Sequence, residues 1–382
     1  METEDLAETV FVLSDRDISV VQGSTEMYYV TKHFGNISDT HVFAPITQAI
    51  DGVTMHSKPF GGATGTFLLN VLYFPFWIYT LLRYRPDIVY CYQNIISPPL
   101  LAKSLTDATI IYDLQSDPYE QAREFSEDGS TGIGMRFLLK MSEKLHRFAL
   151  PRADLIVTLS EELESSLVDN YGIDRADTHL LPLGVNLDKF EPGHFDGKPI
   201  NIVYIGAVQE RRGIKEFLNG LTEVPDRERS QFEFHVYGDG DPEHVEDLKT
   251  LSENAGFEGF TYHGRVPHEE IPQVLKDADV GVSPLPELEA YEVSSPAKIF
   301  EYLAAGLPII ASDIVPHRRL LKEEYAFVVE PTRDEYARTV QQILEDTGRL
   351  EAMSKKARSA AASHSWSNRF DGLAERISAL DN

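Results

Sequence analysis

Between Ser294 and Ser312 the chain reads Ser-Ser-Pro-Ala-Lys-Ile-Phe-Glu-Tyr-Leu-Ala-Ala-Gly-Leu-Pro-Ile-Ile-Ala-Ser. That stretch gathers hydroxyls, an amine and a carboxylate around one predicted helix. Ser295 is a good N-cap, and Pro296 suits the first turn, where its missing N–H was without a partner anyway. Ile299, Phe300, Leu303 and Ala304 fall on one apolar stripe, leaving Lys298 and Glu301, three apart, on the opposite side. Gly306 stops the helix, Pro308 prevents its continuation, and Pro-Ile-Ile-Ala-Ser reads as a strand. Free amides at a helix start favour an anion, phosphate above all, and Ser294, Ser295 and Lys298 surround that start. Glu301 lies about 9 Å further along the axis at ~1.5 Å per residue, which suits a carboxylate meeting a hydroxyl-bearing group. The same residues also fit a surface helix with a Lys–Glu pair, so the rest of the chain has to decide.

With 382 residues the chain is long for one core, and two domains of roughly 180 residues each are expected. Asp plus Glu number 61 against 35 Lys plus Arg, a formal charge of −26. Such a surface repels nucleic-acid backbones, so nucleic acid is not an expected partner. It is also the acid excess of proteins that live in high salt. Cys91 is the only cysteine, which rules out an internal disulfide and favours an intracellular location. The opening Met-Glu-Thr-Glu-Asp lacks the basic region of a signal peptide, so a cytoplasmic protein is expected.

The elements that must position the opening stretch alternate regularly. Thr9–Leu13 predicts a strand, then a loop with Gly23-Ser24-Thr25, a helix over Glu26–Phe34 and strands at His41–Pro45 and Gly52–His56. Thr66–Leu82 is the most apolar segment. Asn70 and Pro75 interrupt it, and it reads either as a buried crossover helix or as a helix dipping an aromatic face into a bilayer with Arg83 and Arg85 at the headgroups. Strands follow at 87–92, 109–113 and 153–160, with a long helix over Met135–Ala149. A hinge-like stretch at Leu180–Gly193 precedes a second series of strands at 200–206, 232–237, 260–264, 278–284 and 326–329. Continuous apolar strands alternating with helices imply parallel sheets covered on both faces, with ligands outside the carboxyl ends of the strands.

The run Ile205-Gly206, Arg212-Gly213, Tyr237-Gly238-Asp239-Gly240, His263-Gly264-Arg265-Val266 and Ala278–Pro284, followed by the opening stretch, resembles the donor half of GT-B glycosyltransferases. Family 4 is the family it resembles. The resemblance implies two doubly wound Rossmann-like α/β domains facing across a cleft. They are expected at 1–187, with a helix near 367–382 packing back on it, and at 188–366. It implies retaining transfer of a sugar from a nucleoside diphosphate sugar. By the resemblance Glu301 binds the donor ribose, and its partner acid falls at Val293, with Glu292 one position early. A basic pair on the diphosphate falls at Ala207 and Arg212, so Lys298, with Arg211 behind it, is the candidate for the missing charge. Fixed cations and a helix start stabilise a leaving diphosphate without rearrangement. Gly264, Arg265 and Val266 take the base edge through the backbone. Gly206 lies beside the phosphates, and Gly23 belongs to the loop brought near them. Asp113, at a strand end, is assigned to acceptor activation, against a capping or turn role.

These readings converge on a metal-independent hexosyltransferase-like enzyme. Its donor site is Gly23, Gly206, Arg212, Gly264, Arg265, Val266, Ser294, Ser295, Lys298 and Glu301, and its catalytic groups are Asp113, Arg212 and Lys298. No cofactor is expected beyond the nucleotide sugar itself. The acceptor expected is a glycan or a lipid-linked glycan, with 66–82 as a peripheral contact at the inner face of a membrane. Asp15-Arg16-Asp17 and Asp239-Gly240-Asp241 have a metal-binding spacing, but positive residues take the metal's place in such folds. The rival readings are a non-catalytic nucleotide-binding or scaffold subunit, supported by Val293 and Ala207, and a nucleotide-sugar epimerase on the same scaffold.

Overall fold

A computed structural model describes residues 8–19, 25–56, 70, 73–93, 95–118, 133–193, 195, 197, 199–288 and 297–380, the side chains of 25 and 133–140 excepted. The chain divides into two compact units, Met1–Leu183 with Trp366–Asn382, and Gly184–Ser365.

The first unit is built on a seven-stranded sheet of order β3-β2-β1-β4-β5-β6-β7. The strands are β1 Thr9–Leu13, β2 Asp39–Phe43, β3 Val53–Met55, β4 Ile88–Tyr92, β5 Thr109–Leu114, β6 Leu155–Thr158 and β7 Thr178–Leu180. Every described pairing is parallel, and β1 sits between β2 and β4, with Val10 opposite both Thr40 and Ile88. Strands β4 and β6 are buried along their whole length, and β1 and β5 at all but the first residue. That is why they read as unbroken apolar runs rather than as alternation. The helix Thr25–Ile37 starts one residue before the predicted one and ends three after it. The helix Trp366–Ser378 buries Phe370, Leu373, Ala374 and Ile377 in the same cluster as Val30 and Phe34.

One expectation changes. The strand expected over His41–Pro45 is Asp39–Phe43, because β2 follows the register of β1 from Thr9. Within 66–82 the described helix is Phe74–Tyr84, with Pro75 in its first turn. Pro75 thus lies in the first turn of this helix, where its missing N–H is tolerated. Trp77, Thr80 and Leu81 face inward, while Phe74, Tyr79, Leu82 and Tyr84 are exposed. Apart from Asn70 and Tyr73, residues 66–73 lie outside the described part. No helix among the described residues is long and apolar enough to cross a membrane.

The second unit is a six-stranded parallel sheet of order β10-β9-β8-β11-β12-β13. Its strands are β8 Ile200–Ile205, β9 Phe232–Tyr237, β10 Phe260–Gly264, β11 Val280–Ser283, β12 Ile309–Ser312 and β13 Ala326–Val329. The order reverses between β8 and β11, and there the ladder is short, Val280 opposite Ile202 and Gly281 opposite Val203. Tyr302, wholly buried on the helix Ala297–Ala304, fills the gap. Its hydroxyl lies 3.1 Å from the Ile205 amide, 3.4 Å from the Val203 carbonyl oxygen and 3.2 Å from that of Val282. Gly281 is required beneath it, since an added Cβ would stand 2.6 Å from the Tyr302 ring.

Candidate functional site

The carboxyl ends of β8, β9 and β10 are tied to one another through their glycines. The Gly206 amide donates to Tyr237 O at 3.0 Å, and the Gly238 amide to Gly264 O at 2.8 Å. A Cβ on Gly238 would lie 1.7 Å from Gly206 O, and Gly238 has φ +150°. Glycine is therefore demanded there by close backbone approach. The turn after β8 carries Arg211 and Arg212 and ends at Gly213, φ +73°, where a Cβ would lie 1.8 Å from Pro284 O. Two glycines thus fix the path of the turn that bears Arg212.

The helix Ala297–Ala304 delivers the other charged groups. Tyr302 pins it to the switch point of the sheet, and Ile299, Phe300 and Leu303 bury its apolar side. Lys298 and Glu301 are half-buried on the remaining side. The Lys298 amine lies 3.8 Å from the centre of the Tyr204 ring, and a Cβ on Gly206 would come within 3.3 Å of it. Lys298 therefore reaches the backbone next to Ala207. Burial, and then the Arg212 guanidinium, lower its pKa to about 7, with Glu301 acting in the opposite direction. Glu301 Oε1 lies 3.2 Å from His268 Nε2. His317, fully buried, donates from Nδ1 to Ser312 O at 2.7 Å and accepts at Nε2 from Ser283 Oγ at 3.1 Å. Burial drives its pKa down to about 4, so it is neutral.

The structure brings Gly206, Arg212, Lys298 and Glu301 into one region of the second unit. Gly264 is tied to it through Gly238, with exposed Arg265 and half-buried Val266 following β10. Gly23, Ser294 and Ser295 lie outside the described residues, as do Glu292 and Val293. Asp113 belongs to the other unit and is fully buried at the end of β5. Tyr90 Oη donates to it at 2.5 Å and Gln115 Nε2 at 3.1 Å. The same Gln115 amide donates to Glu26 Oε2 at 2.6 Å, and Glu26 faces Asp113 within hydrogen-bonding reach. In the Asp-x-Asp pairs, Asp17 accepts from Ser19 and Thr47, and Asp241 caps the helix Pro242–Asn254. No metal-binding group of three or more is present among the described residues.

The sequence alone does not single out His268, Tyr302, His317 or Glu26. His268 and His317 have no spacing relation to Glu301 or Lys298 that a periodic pattern reveals. Tyr302 reads as one more apolar helix position. Glu26 reads as an acid suited to a helix start.

Two parallel, doubly wound sheets, one of them presenting a cation-lined loop at its carboxyl end, define a GT-B-like fold. The glycosyltransferase from Rickettsia africae ESF-5 aligns with a TM-score of 0.72 at 15% identity, over 98% of this chain and 99% of that one. Anabaena Alr3699/HepE in complex with UDP aligns with a TM-score of 0.69 at 14% identity, over 97% and 100%. These likenesses establish the fold. The family model described as Glycosyltransferase Family 4 matches residues 28–189, and the one described as Glycosyl transferases group 1 matches residues 199–346. The chain belongs to glycosyltransferase family 4. It is 25% identical over 248 residues to D-inositol 3-phosphate glycosyltransferase of Nocardia farcinica, 60% of this chain and 53% of that protein. It is 26% identical over 217 residues to 2-deoxystreptamine glucosyltransferase of Streptomyces kanamyceticus, 53% of this chain and 54% of that protein. The chain thus spans about half the length of the relatives it matches.

Proposed function

We propose that this chain is a retaining glycosyltransferase that moves a sugar from a nucleoside diphosphate sugar to an acceptor. The observation that carries the reading is the convergence of Arg212 and Lys298 beside Gly206, with Glu301 one helical turn along from Lys298. Two cations suit a diphosphate, and a carboxylate at that offset suits a pair of ribose hydroxyls. The amides of Ser294 and Ser295 complete the phosphate cradle in this reading. Lys298, reaching the backbone next to Ala207, supplies the charge that Ala207 lacks. Asp113 does not enter as a free base, because Tyr90 and Gln115 occupy its oxygens. UDP sugars are the first donors to try, since UDP is bound by the structural neighbour HepE.

A thermal-shift screen of nucleotides followed by turnover assays tests this. A true donor nucleotide stabilises by about 2.7 kcal/mol at a hundredfold excess over its Kd. Lys298→Ala should lower transfer by about a hundredfold or more, as loss of a fixed cation at a leaving group does. Glu301→Ala should weaken donor binding by about tenfold or more, as loss of a charged hydrogen-bond acceptor for the ribose hydroxyls does. The acceptor panel should lead with polyprenyl-phosphate glycans and glycolipids, which suit the exposed Phe74, Tyr79 and Leu82. Undiminished turnover in both variants would refute the site. Inversion at the transferred anomeric carbon would refute the retaining course.

A further inference from the structure

His268 meets the donor-site carboxylate from an element far from it in sequence. It opens the short turn His268–Glu270, which follows β10 and the loop Gly264-Arg265-Val266-Pro267. Backbone geometry fixes that turn at both ends. Gly264 closes β10 with φ +76°, and its carbonyl oxygen accepts from the Gly238 amide. The Glu270 amide donates to Pro267 O at 3.0 Å, and the helix Ile271–Lys276 then buries Ile271 and Leu275. His268 Nε2 lies 3.2 Å from Glu301 Oε1, a contact between residues 33 apart in sequence. An ionised carboxylate only accepts, so Nε2 carries a proton and donates whichever charge the ring has. The bond joins β10, at the edge of the sheet, to the helix that Tyr302 seats between β8 and β11. The His268 side chain is 28% exposed and that of Glu301 20%, so the pair is partly shielded and still open to a ligand.

The geometry points to His268 as a positioning residue for the donor nucleoside. It holds the Glu301 carboxylate in the orientation that accepts the ribose hydroxyls, and ties that carboxylate to the loop that takes the base. The inference rests on the donor-site reading above, in which Glu301 meets the ribose and residues 264–266 meet the base. A glutamate side chain has several torsions to fix, and a ligand that must fix them itself binds less tightly. His268 fixes them before the ligand arrives. Its hydrogen bond engages Oε1 alone, which leaves Oε2 and the second lone pair of Oε1 for a vicinal diol. A partly exposed ion pair of this kind contributes little to stability. Its value lies in direction: the donor comes from a turn anchored on both sides, and the acceptor from a helix pinned to the sheet.

Isothermal titration of the full chain with UDP and with 2′,3′-dideoxy-UDP tests this, with the matching guanosine nucleotides in their place if uridine nucleotides do not bind. His268→Ala should weaken UDP binding about fivefold, as loss of one hydrogen bond does, and change dideoxy-UDP binding by less than about twofold. The dideoxy nucleotide has no hydroxyls for Glu301 to take, so it does not feel how that carboxylate is turned. His268→Gln sets an amide nitrogen where Nε2 stood and should restore most of the UDP affinity. In a Glu301→Ala background, His268→Ala should add nothing further, because the group it orients is gone. Equal weakening of both nucleotides by His268→Ala would mean that His268 only shapes its own turn. Unchanged UDP affinity would mean that it orients nothing. Either result overturns the inference while leaving the donor site standing. If Glu301→Ala weakens the two nucleotides alike, or if neither base binds, the donor-site reading falls and the inference with it.

Discussion

Glu26 and Asp113 face one another inside the first unit, with the Gln115 amide bridging them. Two carboxylates cannot both ionise in such a place, so one proton stays with the pair. Burial, then the charge of Asp113, raises Glu26 well above the carboxylate range, and burial raises Asp113 to about 6. An acid with a raised folded pKa keeps its proton where the unfolded chain releases it. Its stabilisation is complete below the unfolded pKa and is lost as the pH rises through the folded one. Stability should therefore decline from about pH 4 upward. Glu26→Gln has nearly the shape and donor pattern of the protonated acid and carries no such penalty. It should be more stable than wild type at pH 8 by about 1 kcal/mol or more, because holding a proton one pH unit beyond its ordinary release costs ~1.4 kcal/mol. Urea melts from pH 5 to 8 check this, and parallel curves for the two proteins would refute the shared proton. Asp113 was visible in the sequence as an acid ending a strand. Its burial was not, because nothing in a one-dimensional pattern says that Glu26, Tyr90 and Gln115 close over it.

At the scale of elements, the helix Ala297–Ala304 does two jobs with interleaved positions. Lys298 and Glu301 look toward the loops that follow the strands, while Tyr302 enters the sheet where β8 and β11 part. Tyr302→Phe would leave the buried Ile205 amide without its partner and should cost about 1–3 kcal/mol. It should also weaken nucleotide binding without touching the ligand, since the helix that presents Lys298 loses its tether. Hydrogen exchange at the Ile205 amide reads the first effect directly; unchanged protection would show that the contact is dispensable. Strand and helix order in the second unit is legible because β8, β11 and β12 are nearly continuous buried apolar runs and β8, β9 and β10 end at glycines with fixed backbone roles. The Tyr302 contact is not, because its role depends on a local shortening of the ladder at the switch point. The helix start at Phe74 is not legible for a simpler reason. Proline interrupts a helix interior but also suits a first turn, and composition alone does not separate the two.

For the whole molecule, the return of Trp366–Ser378 to the first unit has a bearing on the order of folding. Phe370, Leu373 and Ile377 complete the cluster that holds Val30 and Phe34, yet they leave the ribosome after all of Gly184–Ser365 has been made. The first unit is synthesised first and sealed last. During synthesis its half-built core should stay loose, so the second unit reaches native protection before it, reversing the usual order of domains. Pulse proteolysis of stalled chains ending at Ser365 checks this: the second unit should resist cleavage while the first is cut, and equal resistance of both would refute it. A chain of this design is exposed for most of its synthesis, so agents that bind unfinished protein would find their target in the part made earliest.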